Sequence, residues 1–395
     1  MITTIPATPT KRFAVIDGLR GVAILWVTLV HLPGPWLSPD YEIVPWTLGS
    51  WIRSGAFGVP LFFALSGFCL FYPMIKDGTF KLNLKNFWMR RLLRIYPSYL
   101  ISVCILSAIW YHQTRDVNWL FHVGTHLTFI YPYFQSALHS INGPWWSLGI
   151  EDQYYIVLPI IAYLMYKRFI SALIGLVAVS VIWCAFLSSK TDQDNVRYLM
   201  EMLPAMLPQF LVGMIAAWIY AKQYQFGKAD IACLWIMGLF GILISPHLYT
   251  WFYPTRYPIT ATSVYVLSSP CWGCLILAAL SSPKSIGSRI LSSNIMVWLG
   301  TISYSLYLYN MIDRPIMKVL LPNVPQYTFA YAAIALPIVL SIGALGYYAI
   351  ESPFMRLRER MIAKSQAEPK NHHAQVDRRQ SRTRQSVPVE RPQEA

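Results

Sequence analysis

Three places along the chain hold side chains that could do chemistry. The first is Asp17, Arg20 and His31. Asp17 and Arg20 are three apart, so on a helix they share a face and can pair. Arg20 and His31 are eleven apart. Eleven steps of 100° return to within about 20° of the same face, roughly 16 Å further along the axis. The two cannot touch, but they line one stripe. An imidazole there could act as a general base on a hydroxyl or carry an acyl group transiently. The plainer alternatives are a satisfied interfacial histidine and an ion pair that only positions the helix.

The second place is Pro144-Trp145-Trp146-Ser147-Leu148-Gly149-Ile150-Glu151-Asp152-Gln153-Tyr154-Tyr155. Glu151 and Tyr155 are four apart and share a face. A carboxylate can hold an imidazole in one tautomer and stabilise its protonated form. The competing reading is a capping box led by Ser147. The third place is Arg90-Arg91-Leu92-Leu93-Arg94. Arg91 and Arg94 lie on one helical face, and guanidinium forks suit phosphate oxygens. From charge alone, a loop anchor at lipid headgroups explains them at least as well.

What must position these groups is apolar helix. Hydrophobic residues make up 55% of the 395 and charged residues 13%, against about a quarter charged in soluble domains. Ten apolar stretches stand near 13–32, 56–75, 95–112, 150–166, 169–187, 202–221, 229–248, 259–280, 294–312 and 327–350. Each is close to the roughly 20 residues that cross a bilayer, and backbone in lipid favours helices. The expected fold is therefore an all-α integral membrane protein of about ten transmembrane helices. Asp17, Arg20 and His31 fall inside the first stretch, read as an uncleaved membrane helix. Glu151 falls at one end of the fourth, at a depth similar to His31.

The net charge of +14 could mean nucleic acid, but its distribution reports topology instead. With an inward N-terminus, the outer segments hold Arg53, Arg115, Lys190, Arg197, Arg256, Arg314 and Lys318, while the inner segments and tail hold twenty-four. Both termini are then cytoplasmic, residues 1–356 form one membrane domain, and 357–395 form a disordered basic tail. No soluble catalytic domain and no nucleic-acid partner is expected. The six cysteines lie in apolar stretches and imply no disulfide framework, and Cys271 with Cys274 reads as helix packing rather than a metal site.

In this order the clusters resemble the acyltransferase-3 family of multi-spanning membrane O-acyltransferases. The first helix carries the Arg20-x10-His31 spacing. Phe62-Phe63-Ala64-Leu65-Ser66-Gly67-Phe68 is similar to the family's F-F-x-L-S-G-F. Arg91-x-x-Arg94 follows, then Trp146-Ser147-Leu148 with Glu151 and Tyr155, then Ser303-Tyr304-Ser305-Leu306-Tyr307-Leu308 and Glu351-Ser352-Pro353. Asn310 departs from the pattern, standing where many members place histidine. It is read as a substrate-orienting or packing position, because an amide cannot titrate.

The resemblance implies transfer of an acyl group, usually acetyl, from cytoplasmic acyl-CoA to a hydroxyl of a carbohydrate or glycoconjugate acceptor, in a bacterial inner membrane. His31 and Glu151 are then the expected catalytic pair. Arg20, Arg90, Arg91 and Arg94 would bind the donor, and Asp17, Ser147, Tyr155 and Asn310 would orient substrate. No permanently bound cofactor and no metal are implied; acetyl-CoA is a substrate. The rival class is a transporter or flippase of lipid-linked glycans, though no related halves are visible.

Overall fold

Backbone amides that leave water must bond within their own segment, and this chain meets that demand with helices. The computed structural model describes residues 13–38, 47–190, 192–252 and 258–362, and contains no strand among them. Lys11, Arg12 and Arg256, counted above, and the tail from 363 lie outside the described residues. The helix that follows Glu351 continues to Ile362, six residues into the segment expected to be disordered.

The long helices are α1 (Ala14–His31), α2 (Gly58–Ile75), α3 (Leu84–Thr114), α4 (Trp146–Lys167), α5 (Phe169–Ser188), α6 (Leu203–Ala221), α7 (Lys228–Phe252), α8 (Pro258–Ser281), α9 (Asn294–Leu308), α10 (Asp313–Leu320) and α11 (Phe329–Gly346). Each of the ten apolar stretches lies largely within one or two of them. Six helical segments among the described residues are long and apolar enough to cross a membrane, or seven if the bent pair α9 and α10 counts as one span. The helix carrying Glu151 and Asp152 is not among the six. α5 has a mean hydropathy of 2.5 and exposes Ile170, Ile174, Val181 and Ile182, as a lipid-facing helix would.

Local signals set several helix starts. The Asn83 side chain accepts from the Asn86 N–H at the start of α3 (2.9 Å), and Thr328 Oγ1 accepts from the Tyr331 N–H at the start of α11 (3.1 Å). Lipid offers no hydrophobic drive between helices, so close backbone packing must hold them together. Glycines supply it here. A Cβ built on Gly300 of α9 would sit on the Asp17 carbonyl oxygen, and one on Gly18 would sit on that of Leu291. Gly213 of α6 presses in the same way on Ala64 of α2. Gly21, beside Arg20, meets the Met296 carbonyl of α9 in the same way, so the glycines flanking Arg20 set how closely α1 seats against α9 and the turn before it.

Between α3 and α4 the chain folds inward over a buried aromatic group. Tyr99 donates to His126 Nδ1 (2.8 Å), and the His126 and Tyr131 rings stack at 4.1 Å. Tyr131 Oη donates to the Trp145 carbonyl (2.8 Å). At the edge of this segment His139 Nε2 lies 2.7 Å from Glu201 Oε2. Burial works against a charged imidazole there, but the hydrogen bond and charge of Glu201 outweigh it and raise the His139 pKa above its ordinary 6.5.

Two outcomes follow. Gly213→Ala must displace backbone and should cost about 1–3 kcal/mol, seen as a lower Tm in detergent. Gly175→Ala, with nothing within 4 Å of its Cβ, should leave Tm unchanged or raise it. The raised His139 pKa means that its stabilisation is complete below about pH 6.5 and fades as pH rises through the folded value. The Tm gap between the native chain and His139→Gln should therefore be wider at pH 5.5 than at pH 9.

Candidate active site

Five helices converge on one polar cleft. α1 supplies Arg20, α2 supplies Ser66 and Cys69, and α3 supplies Arg91 and Arg94. α4 supplies Glu151, Asp152 and Tyr155, and α9 supplies Tyr304. The cavity has about 570 Å³ of empty volume, and an adjoining one of about 560 Å³ continues past Ser147 and Tyr307. Three guanidinium groups and two carboxylates, Glu151 and Asp152, share this lining.

The α4 side chains step down this cleft along one helix face. Ser147 Oγ donates to Tyr307 Oη (2.6 Å), which in turn donates to the Pro144 carbonyl. One turn on, Glu151 Oε1 accepts from Ser66 Oγ (2.7 Å). Another turn on, the Tyr155 ring lies under the Arg91 guanidinium at 5.5 Å, a cation–π contact. From Ser147 to Tyr155 the rise is about 12 Å. Arg20 lies within electrostatic reach of Asp17 and Glu151. Ser147 makes no capping bond, and the first turn of α4 holds no acid, so the capping-box reading is not realised.

Glu151 does not lie level with His31. The expected depth took residue 150 as the membrane end of the helix. α4 instead begins at Trp146, below the infolded segment, where Pro132 packs on Gly149. Glu151 is thereby lowered more than a turn into the fold, beside Arg20 and Arg94 rather than His31. No described contact joins Glu151 to His31. Arg90 is exposed and lines neither cavity, because one residue step turns it about 100° away from Arg91.

His31 closes α1, and its partners come from the break after α9. α9 ends at Leu308, and α10 leaves at 77°. The freed Leu308 carbonyl accepts from Asn142 Nδ2 (3.0 Å) and Trp145 Nε1 (3.2 Å). His31 Nδ1 lies 2.7 Å from the Val27 carbonyl and 3.1 Å from Asn310 Nδ2. A carbonyl oxygen can only accept, so the shorter contact puts the proton on Nδ1. Nε2 then carries the lone pair, as a general base requires. With the proton on Nδ1, the Asn310 amine packs against the ring without donating to it, and Arg314 Nη2 donates to the His31 carbonyl (3.3 Å).

Several of these groups were not singled out from the sequence. Ser66, Tyr304 and Glu351 sit inside motif strings but carry no charge spacing of their own. Glu351 is buried, accepts from Ser305 Oγ (2.7 Å) and lies within reach of Arg94 and Arg20. Arg314 was counted only as a loop cation. Among the described residues no group of His, Cys, Asp and Glu could hold a metal.

Comparison with known proteins bears on this arrangement. A family profile described as an acyltransferase domain matches residues 13–347. A peptidoglycan O-acetyltransferase, OatA, of Listeria monocytogenes is 27% identical over 369 residues, covering 86% of this chain and 55% of that protein. An O-acetyltransferase OatA of Staphylococcus aureus is 26% identical over 316 residues, covering 75% and 49%. The chain thus spans about half the length of the curated relatives it matches. No solved structure matches. The profile covers the helices that carry the cleft, His31 and the break after Leu308. The chain belongs to the acyltransferase-3 family and carries several apolar helices of the kind a multi-pass membrane protein has.

Proposed function

We propose that the chain moves an acyl group, acetyl by preference, from cytoplasmic acyl-CoA to a hydroxyl of a carbohydrate acceptor in a bacterial inner membrane. The observation that carries this reading is the arrangement along α1. A cleft lined by Arg20, Arg91 and Arg94 lies toward one end, and His31, its Nδ1 turned to the Val27 carbonyl, closes the other. The names of the relatives, a peptidoglycan O-acetyltransferase among them, favour a cell-wall glycan as acceptor. The excess of Lys and Arg in alternate segments favours ten spans, both termini cytoplasmic, and donor entry at the arginine end.

In this reading Arg91 and Arg94 hold the CoA phosphates through charge-assisted bonds, and Tyr155 keeps Arg91 in place. Arg20, with Asp17 and Glu151 nearby, lines the path of the donor arm. Glu151, bonded to Ser66, tempers the positive charge of the cleft rather than supporting the imidazole. His31 Nε2 takes the proton of the acceptor hydroxyl as its oxygen attacks the thioester carbon. The C–S bond breaks as the C–O bond forms, and the proton passes to the departing CoA thiolate. Asn310 keeps the ring in register, a task an amide performs without titrating.

Two measurements with purified protein, labelled acetyl-CoA and a cell-wall glycan test this. His31→Ala should lower transfer about 10²- to 10⁴-fold with normal membrane expression, and near-full activity would remove the base. Arg91→Ala with Arg94→Ala should raise the KM for acetyl-CoA about ten- to hundredfold while sparing the KM for acceptor. Unchanged donor affinity would leave both arginines as anchors.

A further inference from the structure

Away from the arginine cleft, a separate chamber, open to solvent, lies against the α9–α10 break. Trp110 and Gln113 of α3, Asn142, and Asn310, Met311 and Arg314 from the break line it. Two of these touch His31: Asn310 at its ring and Arg314 at its carbonyl. Leu106, Ile109, Ile141 and Ile312 make the rest of the wall mostly apolar, and a few placed amides, an indole and one cation on such a wall can orient a ligand with both apolar and polar faces, such as a sugar. The segment from Tyr307 to Asn310 stands between this chamber and the donor cleft. Asn310 borders the chamber and Tyr307 borders the cleft.

Arg314 sets the chemistry of the chamber. It is half-buried, and no carboxylate lies within ion-pair distance of it among the described residues. Its Nε is buried without an acceptor. The adjacent acid, Asp313, is buried and accepts from Tyr331 Oη (3.3 Å), and lies within electrostatic reach of Arg314 without forming an ion pair. Arg314 also borders a second opening with Pro33, Leu37, Gln326 and Tyr327, so its fork has access from two sides. With Nη2 bonded to the His31 carbonyl and Nε buried, Nη1 is the nitrogen left to meet a ligand, and a guanidinium suits a carboxylate.

We propose that this chamber is the acceptor site and that Arg314 selects a sugar bearing a carboxylate. The proposal rests on the acyltransferase reading above and names its substrate class. Arg314 is here an acceptor-binding residue: it anchors the acidic group and leaves a neighbouring hydroxyl to face His31.

The probes are a trigalacturonate and its methyl ester, titrated against the purified full chain in detergent. The native chain should bind the acid at least tenfold more tightly than the ester. Arg314→Gln should erase that difference, and Arg314→Lys should restore part of it. Acetyl-CoA affinity serves as the folding control for each variant. Equal binding of acid and ester by the native chain would overturn the proposal, as would a preference that survives Arg314→Gln. Should a variant misfold, the comparison of acid with ester on the native chain still decides. The parent reading fails separately, by absence of transfer from labelled acetyl-CoA or by an active His31→Ala chain.

Discussion

A carbonyl freed inside a membrane protein must find a donor, and the candidate active site is organised around one such carbonyl. When α9 stops at Leu308, its last turn gives up helical partners with no water guaranteed nearby. Asn142 and Trp145 answer from the entrance to α4. That single requirement ties the infolded segment, the start of α4 and the end of α9 into one joint. On one side of the joint Tyr307 receives Ser147, and on the other Asn310 reaches His31. The break thus sets the separation of the two halves of the site.

The glycine contacts supply the complementary rigidity. With a backbone carbonyl occupying the space a side chain would need, α1 has one seating against α9, and α2 one against α6. Arg20 on α1 and Ser66 on α2 inherit those positions, so a charged cleft can be held open between helices with little apolar force pressing them together. The glycines beside Arg20 therefore serve placement, and the arginine between them serves charge.

Much of this was legible in the residues. Helical class followed from the apolar stretches, and Arg20, Arg91, Arg94, Glu151 and Tyr155 stood out because ionisable groups are rare in such a chain. Their convergence was not legible, because helices that are apolar nearly all round carry no stripe to say which face meets which neighbour. Glu151 was set at the wrong depth because Trp146 and Ser147 belong to the helix although the apolar run begins later. Arg90 looked equivalent to Arg91 until the helix turned it outward. The break at Leu308 has neither proline nor glycine to announce it, so Asn310 could be read as orienting or packing but not as a neighbour of the His31 ring. Serine 66 is invisible to charge reasoning altogether.

The narrow wall from Tyr307 to Asn310 also bears on the integrity of the membrane. Deep polar hollows on either side of a bilayer invite a continuous file of water, and with it a leak of protons. Here the gap is crossed by hydrogen bonds already committed to protein: Ser147 to Tyr307, Tyr307 to Pro144, and Asn142 and Trp145 to Leu308. Groups so engaged have little capacity left to relay a proton along a wire. A wall closed in this way keeps the two hollows from joining into one water-filled path.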